Sequence, residues 1–271
     1  MKQRHINSQQ GFTLVEMTVV LVVIGLILGA ISIGKDVQRD AENSKIKQKF
    51  VDQWVIAYND YYSKAGVVVG DSQVAPRYMV NGEAFATVSA SVISGTNMTG
   101  VTEPNAICEA VKGANMVRSK EDGSTNGGNN NASLHALMDR LGIRMPPGRA
   151  EGKEDRYVYL DSNGNPQEIQ VCFQWNKPGT PSGSGNVMVI SGLTPDLARE
   201  LDQMVDGKPD AQEGVFRQEG VANGTQGAPG VQWAANNTQQ YGNGTPSATD
   251  TAVNKDEDQV ITVVAHYKMN Q

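Results

Sequence analysis

Residues 11–34 read GFTLVEMTVVLVVIGLILGAISIG, and this stretch decides the fold. From Met17 to Gly34 run 18 residues without a charge, and counted from Phe12 the apolar segment has 23 residues broken only by Glu16. About 20 apolar residues in an α-helix cross the hydrocarbon of a bilayer. A cleavable secretory signal has a shorter apolar region, about 7–15 residues, and is cut after it. Here the candidate junction, Gly11-Phe12, stands before the apolar run, so the helix is expected to stay on the mature chain. The leader carries Lys2 and Arg4, and positive charge beside a spanning helix is held on the cytoplasmic side, so the C-terminal region is expected to be exported.

Gly11-Phe12-Thr13-Leu14-Val15-Glu16, after a short basic leader and before an unbroken apolar run, resembles the cleavage and methylation signal of type IV prepilins and type II secretion pseudopilins. The resemblance implies that residues 1–11 are a leader removed by a membrane aspartyl prepilin peptidase, which cuts after Gly11 and then methylates the new amino group of Phe12. Residues 12–34 would be the membrane and filament-core part of an N-terminal helix over residues 12–65. A carboxylate near the start of a membrane helix is costly and calls for a partner. The resemblance supplies one for Glu16: the freed amino terminus of a neighbouring Phe12 in the filament.

The apolar pattern changes character beyond the membrane segment. Ile46, Phe50, Trp54, Ala57 and Tyr61 recur at spacings of four, four, three and four, with Lys45, Lys47, Lys49, Asp52 and Asn59 between them. That is the signature of an amphipathic helix. No proline interrupts residues 12–75, so one helix from Phe12 to about Lys64 is predicted, roughly 80 Å long at 1.5 Å per residue. Gly25, Gly29 and Gly34 weaken it locally and permit close helix approach.

Residues 66–271 are predicted to form the exported head, and the fold class is α+β: a long N-terminal helix packed on an antiparallel sheet with long loops. The order within the head follows from local signals. Ser133, then Leu134, Leu137, Met138 and Leu141, then Gly142 reads as a capped short helix with His135 on its surface. Arg156–Leu160 and Gln167–Trp175 flank a turn-forming cluster and read as a hairpin, with Asn186–Ser191 as a third strand. Thr194-Pro195 opens a helix through Val205, and Gln259–Lys268 is the last strand. Residues 123–131 read as an exposed loop, and residues 220–258, rich in Gly, Asn, Gln and Thr, as a long flexible surface loop with little to give a core.

Composition narrows the function classes. The net charge is −6, and removal of Lys2 and Arg4 with the leader leaves 21 positive against 29 negative side chains. No nucleic-acid partner is expected of so acidic a surface, which weighs against a DNA-uptake receptor. No P-loop, GxSxG elbow, HExxH helix or dinucleotide fingerprint occurs, and the three histidines are scattered, so no enzyme and no cofactor are expected. Two acidic turns are the candidates for a calcium ion: Asp161, Asn163, Asn165 and Glu168 in the hairpin, and Asp206, Asp210 and Glu213 after the last helix. Neither completes an EF-hand loop. The two cysteines, Cys108 and Cys172, have no zinc spacing, and export to an oxidising compartment makes a disulfide between them the expectation.

The reading is a structural subunit of a type IV pilus or pilus-like filament, homo-oligomeric or mixed with other pilins. It enters the inner membrane as a single-pass prepilin and meets the prepilin peptidase and an inner-membrane assembly platform. Its destination is a surface fibre, or a periplasmic pseudopilus if it is a type II secretion pseudopilin. A minor pilin for adhesion or DNA uptake is the remaining alternative.

Overall fold

The computed structural model describes residues 13–82, 116–117, 133–221, 230–234 and 262–270. Contacts divide the chain into two units, residues 1–42 and 43–271. Helix α1 (Leu14–Ile46) is followed by a π-helical turn at Lys47–Val51 and by α2 (Asp52–Ala65). Glycine ends α2: Gly66 has φ +74 and donates its N–H to the Tyr62 carbonyl at 2.8 Å. Only a residue without a Cβ takes that left-handed cap at no steric cost.

In the first unit every described side chain is exposed. The large apolar ones run from Met17 at 44% to Leu14 at 81%, although this part of α1 has the composition of a membrane span. Nothing in the unit itself covers them.

In the second unit the helix is half buried, on the predicted stripe. Ile46, Phe50, Trp54, Ala57 and Tyr61 are buried, joined by Val51 and Tyr58. A four-residue spacing on an α-helix drifts by about 40° per step. The π-helical turn, in which Asp52 N–H reaches back to the Lys47 carbonyl, is wider and offsets that drift between Ile46 and Trp54. An ion pair at 2.9 Å from Lys47 Nζ to Asp52 Oδ2 spans the turn.

The sheet is antiparallel. Its strands are β1 (Met116–Val117), β2 (Arg156–Leu160), β3 (Pro166–Asn176), β4 (Gly185–Leu193), β5 (Phe216–Gln218) and β6 (Val263–Lys268). The order is β1-β3-β4-β6-β5, with β2 also paired to β3. The period of two sorts β3 cleanly: Ile169, Val171, Phe173 and Trp175 enter the main core, and Cys172 points to the other face. Phe173 is the aromatic pivot, with its ring centroid 5.0 Å from Tyr58 and 6.1 Å from Trp54, while Phe50 meets Tyr157 at 5.3 Å. On the opposite face Cys172, Val187, Val189 and Val264 form a separate buried cluster.

Two helices complete the described head, α3 (Leu134–Arg140) and α4 (Pro195–Asp206). Ser133 Oγ and Thr194 Oγ1 cap them, accepting from Ala136 N at 3.4 Å and Leu197 N at 3.3 Å, as the sequence signals require.

Three expectations are corrected. His135 is buried, not on the surface: its imidazole Nε2 reaches Glu154 Oε2 at 2.9 Å, in the segment just before β2. Among the described residues of the stretch 220–258, Trp233 reaches the core, buried against Phe216 with ring centroids 5.3 Å apart. Strand β5 had no signal of its own, being three residues held by its pairing to β6. The predicted loop at 123–131 and the first residues of the predicted last strand, 259–261, lie outside the described residues.

Because Phe173 is fully buried between Trp54 and Tyr58, Phe173→Ala should lower unfolding stability by about 3–5 kcal/mol. Denaturant unfolding followed by near-UV circular dichroism checks this, and a loss below about 1 kcal/mol would mean that the ring does not join helix to sheet.

Candidate functional site

The chemistry that singles out this chain lies at the start of α1. The first turn of any helix leaves backbone N–H groups without intrahelical acceptors, and in a membrane segment water does not satisfy them. Thr13 and Glu16 solve this reciprocally. Thr13 N and Thr13 Oγ1 donate to Glu16 Oε2 at 2.8 and 2.9 Å, while Glu16 N donates to Thr13 Oγ1 at 3.2 Å. This is a capping box, and the Thr-x-x-Glu spacing that makes it was legible in the sequence. Glu16, expected to find its partner in another subunit, has one in its own chain, Thr13. Gly11 and Phe12, the expected processing junction, lie outside the described residues.

Along α1 a Cβ added at Gly25, Gly29 or Gly34 would meet nothing within 4 Å. The chain's own packing therefore does not require glycine at these positions. The exposed apolar surface and the three notches are available to lipid or to another helix.

The acidic turns have partners. Asp161 Oδ1 accepts from Asn163 N at 2.9 Å and Asn165 N at 2.8 Å, and Asp161 Oδ2 from Asn165 Nδ2 at 3.3 Å. Desolvation pushes this carboxyl up, but the hydrogen bonds from Asn165 and Asn163 together outweigh it and hold Asp161 below the usual range. Glu168 is bound by Arg149 at 2.6 Å and Arg156 at 2.9 Å. In the second turn Asp206 Oδ2 accepts from Val215 N and Phe216 N, Asp210 Oδ1 accepts from Gln212 N and Glu213 N, and Lys208 pairs with both Asp210 and Glu213. Among the described residues no three His, Cys, Asp or Glu side chains converge in a metal-binding geometry.

A Ser–His contact on the outer sheet face is the other constellation of interest. Ser182 Oγ lies 2.6 Å from His266 Nδ1, and Asn176 Nδ2 lies 3.2 Å from the same nitrogen. Burial lowers His266 to about 4, so the ring is neutral near pH 7 and accepts through Nδ1. The pair ties β6 to the loop before β4. Cys172 is fully buried on the same face, and Cys108 lies outside the described residues.

Residues 6–32 match the model of the prokaryotic N-terminal methylation motif, the prepilin motif of type IV pilins and pseudopilins. Comparison with curated proteins and with solved structures returned no match. The motif supports a type IV pilin-like or pseudopilin precursor. Its long apolar N-terminal helix suits a single-pass inner-membrane precursor.

Thr13→Val should remove the acceptor for Glu16 N at a cost of about 1 kcal/mol. The amide of Glu16 should then exchange about fivefold faster in detergent micelles, and Thr13→Ser should restore protection. Equal exchange in all three chains would show that the box does not cap the helix.

Proposed function

We propose that the chain is a structural subunit of a type IV pilus or pilus-like filament, cleaved after Gly11, N-methylated on Phe12 and polymerised through its N-terminal helix. One observation carries the reading: the apolar half of the helix begins at the prepilin motif, is exposed along its length, and bears its lone carboxylate one turn from the processing site. In the precursor membrane the exposed side chains face lipid. In the filament they face the same helix of neighbouring subunits, and Glu16 exchanges its Thr13 contacts for the amino terminus of an adjacent Phe12. The prepilin peptidase and an inner-membrane assembly platform are the partners of these steps. The heads form the outer surface, and the role calls for no catalytic residue and no cofactor.

A type II secretion pseudopilin is the second reading, since the motif serves both. The fate of the processed chain separates them: recovery in fibres sheared from the cell surface supports the pilus, and retention in the envelope supports the pseudopilus. Glu16→Ala should leave cleavage intact and sharply reduce incorporation into either filament, read by quantitative immunoblotting of sheared and envelope fractions. Wild-type incorporation of the Glu16→Ala chain would overturn the register role.

We further propose that Cys108 and Cys172 pair. Cys172 is held, fully buried, in the small cluster on the outer sheet face. Peptide mapping without reduction should recover the two cysteines in one linked species; alkylation of both in the folded chain would contradict the pairing.

A further inference from the structure

Helix α4 places Asp202 and Asp206 one turn apart, on the face turned toward β5 and residues 230–234. Asp202 is fully buried. Its Oδ2 accepts from Trp233 Nε1 at 3.1 Å, and its Oδ1 meets no donor. The neighbour of Asp202 within hydrogen-bonding reach is the carboxyl of Asp206, whose own Oδ2 already accepts from Val215 N at 3.0 Å and Phe216 N at 2.9 Å. Packing around Asp206 is close, since a Cβ on Gly214, which has φ +80, would sit 2.1 Å from Asp206 Oδ2. The carboxyls therefore have little room to move apart.

The charged groups nearby do not neutralise the pair. Asp210 adds a third negative charge, and Lys208 is committed to Asp210 at 3.0 Å and to Glu213. From β6, Tyr267 faces Asp206 and also senses Asp52 of α2, which is paired with Lys47. A charge on the buried Asp202 beside the half-buried Asp206 carboxylate is costly, and a proton on Asp202 gives its orphaned oxygen a hydrogen bond.

This pair stands behind residues 230–234. Residues 230–234 are held by Ala211 N donating to Val231 O at 2.8 Å, by Gln218 Nε2 donating to Ala234 O at 2.7 Å, and by Ala234 N donating to Gln218 Oε1 at 3.2 Å. Trp233 is the buried plug, seated on Phe216 and hydrogen-bonded to Asp202.

We propose that Asp202 and Asp206 form a proton-operated latch on residues 230–234. With a proton on Asp202, donated toward the Asp206 carboxyl, the segment docks through Trp233; loss of that proton leaves a buried carboxylate behind the indole and releases the segment. Burial pushes Asp202 up to about 7; the Trp233 hydrogen bond opposes this, and the charges of Asp206 and Asp210 add to it. Once the segment leaves, the carboxyl regains solvent and moves toward the ordinary aspartate value of about 4. Docking thus takes up a proton. It is strongest below that ordinary value and is lost as pH rises through about 7.

The test is amide hydrogen exchange over residues 230–234 in the full-length chain in detergent micelles, at about pH 5.5 and about pH 8.5, corrected for intrinsic rates. Protection should fall by about tenfold or more between the two conditions while β4 keeps its protection. Asp202→Asn, whose amide donates to Asp206 and accepts from Trp233 without titrating, should stay protected at both. If Asp202→Asn does not fold, Asp206→Asn serves in its place, and the wild-type profile decides independently of either. Wild-type protection that does not change with pH overturns the latch, as does a variant that loses protection as the wild type does. Recovery of protection at the higher pH on adding millimolar calcium chloride would make a cation the operator and also overturn it.

Discussion

The constraint on which this structure depends is the absence of any cover for the apolar side chains at the start of α1. From Leu14 to Ile33 the helix exposes valines, leucines and isoleucines on all sides, and its own unit offers nothing to bury them. Such a surface is stable only in lipid or against other apolar helices. Backbone polarity sharpens the requirement, because every N–H of the first turn that enters the bilayer needs an acceptor within the protein. The Thr13–Glu16 capping box provides it with a residue that lies at the motif. One carboxylate therefore answers a local need of the isolated chain and, in the proposed filament, remains available for a neighbour's amino terminus.

The second unit solves the opposite problem, that of burying one face of a helix well. Its aromatic stripe packs against a sheet whose strands alternate cleanly, and a single wide turn keeps residues spaced by four on one line. The sheet is buried on both faces: aromatic and branched side chains fill one, while Cys172, three valines and the Ser182–His266–Asn176 group fill the other. The polar groups on that second face are tied to one another and to the loop preceding β4.

What the sequence made legible follows from how local the signals are. The apolar helix, the amphipathic stripe, the hairpin and the capped helices each rest on periodicity or capping within a few residues, and each appears where expected. His135 did not fit its predicted place because its surroundings include Glu154 and Asp155, which are distant in sequence and leave no local signal beside it. Trp233 was masked by its surroundings: a lone aromatic in a Gly/Asn-rich stretch has no periodic neighbours, and its pocket is built from α4 and β5. The Thr13–Glu16 pair is legible as a Thr-x-x-Glu spacing at a helix start, a signal separate from the cost of Glu16 in a membrane. Gly11 and Phe12 were legible only through the motif, since a cleavage site depends on recognition by another protein.

The proposed filament requires that the apolar helix be retained on a processed chain. Intact-mass and N-terminal peptide measurement on the protein extracted from membranes tests it most directly. The account predicts a chain that begins at Phe12 with one added methyl group on its amino terminus and keeps residues 12–34. A chain still beginning at Met1, or one cut after the apolar run, would contradict it.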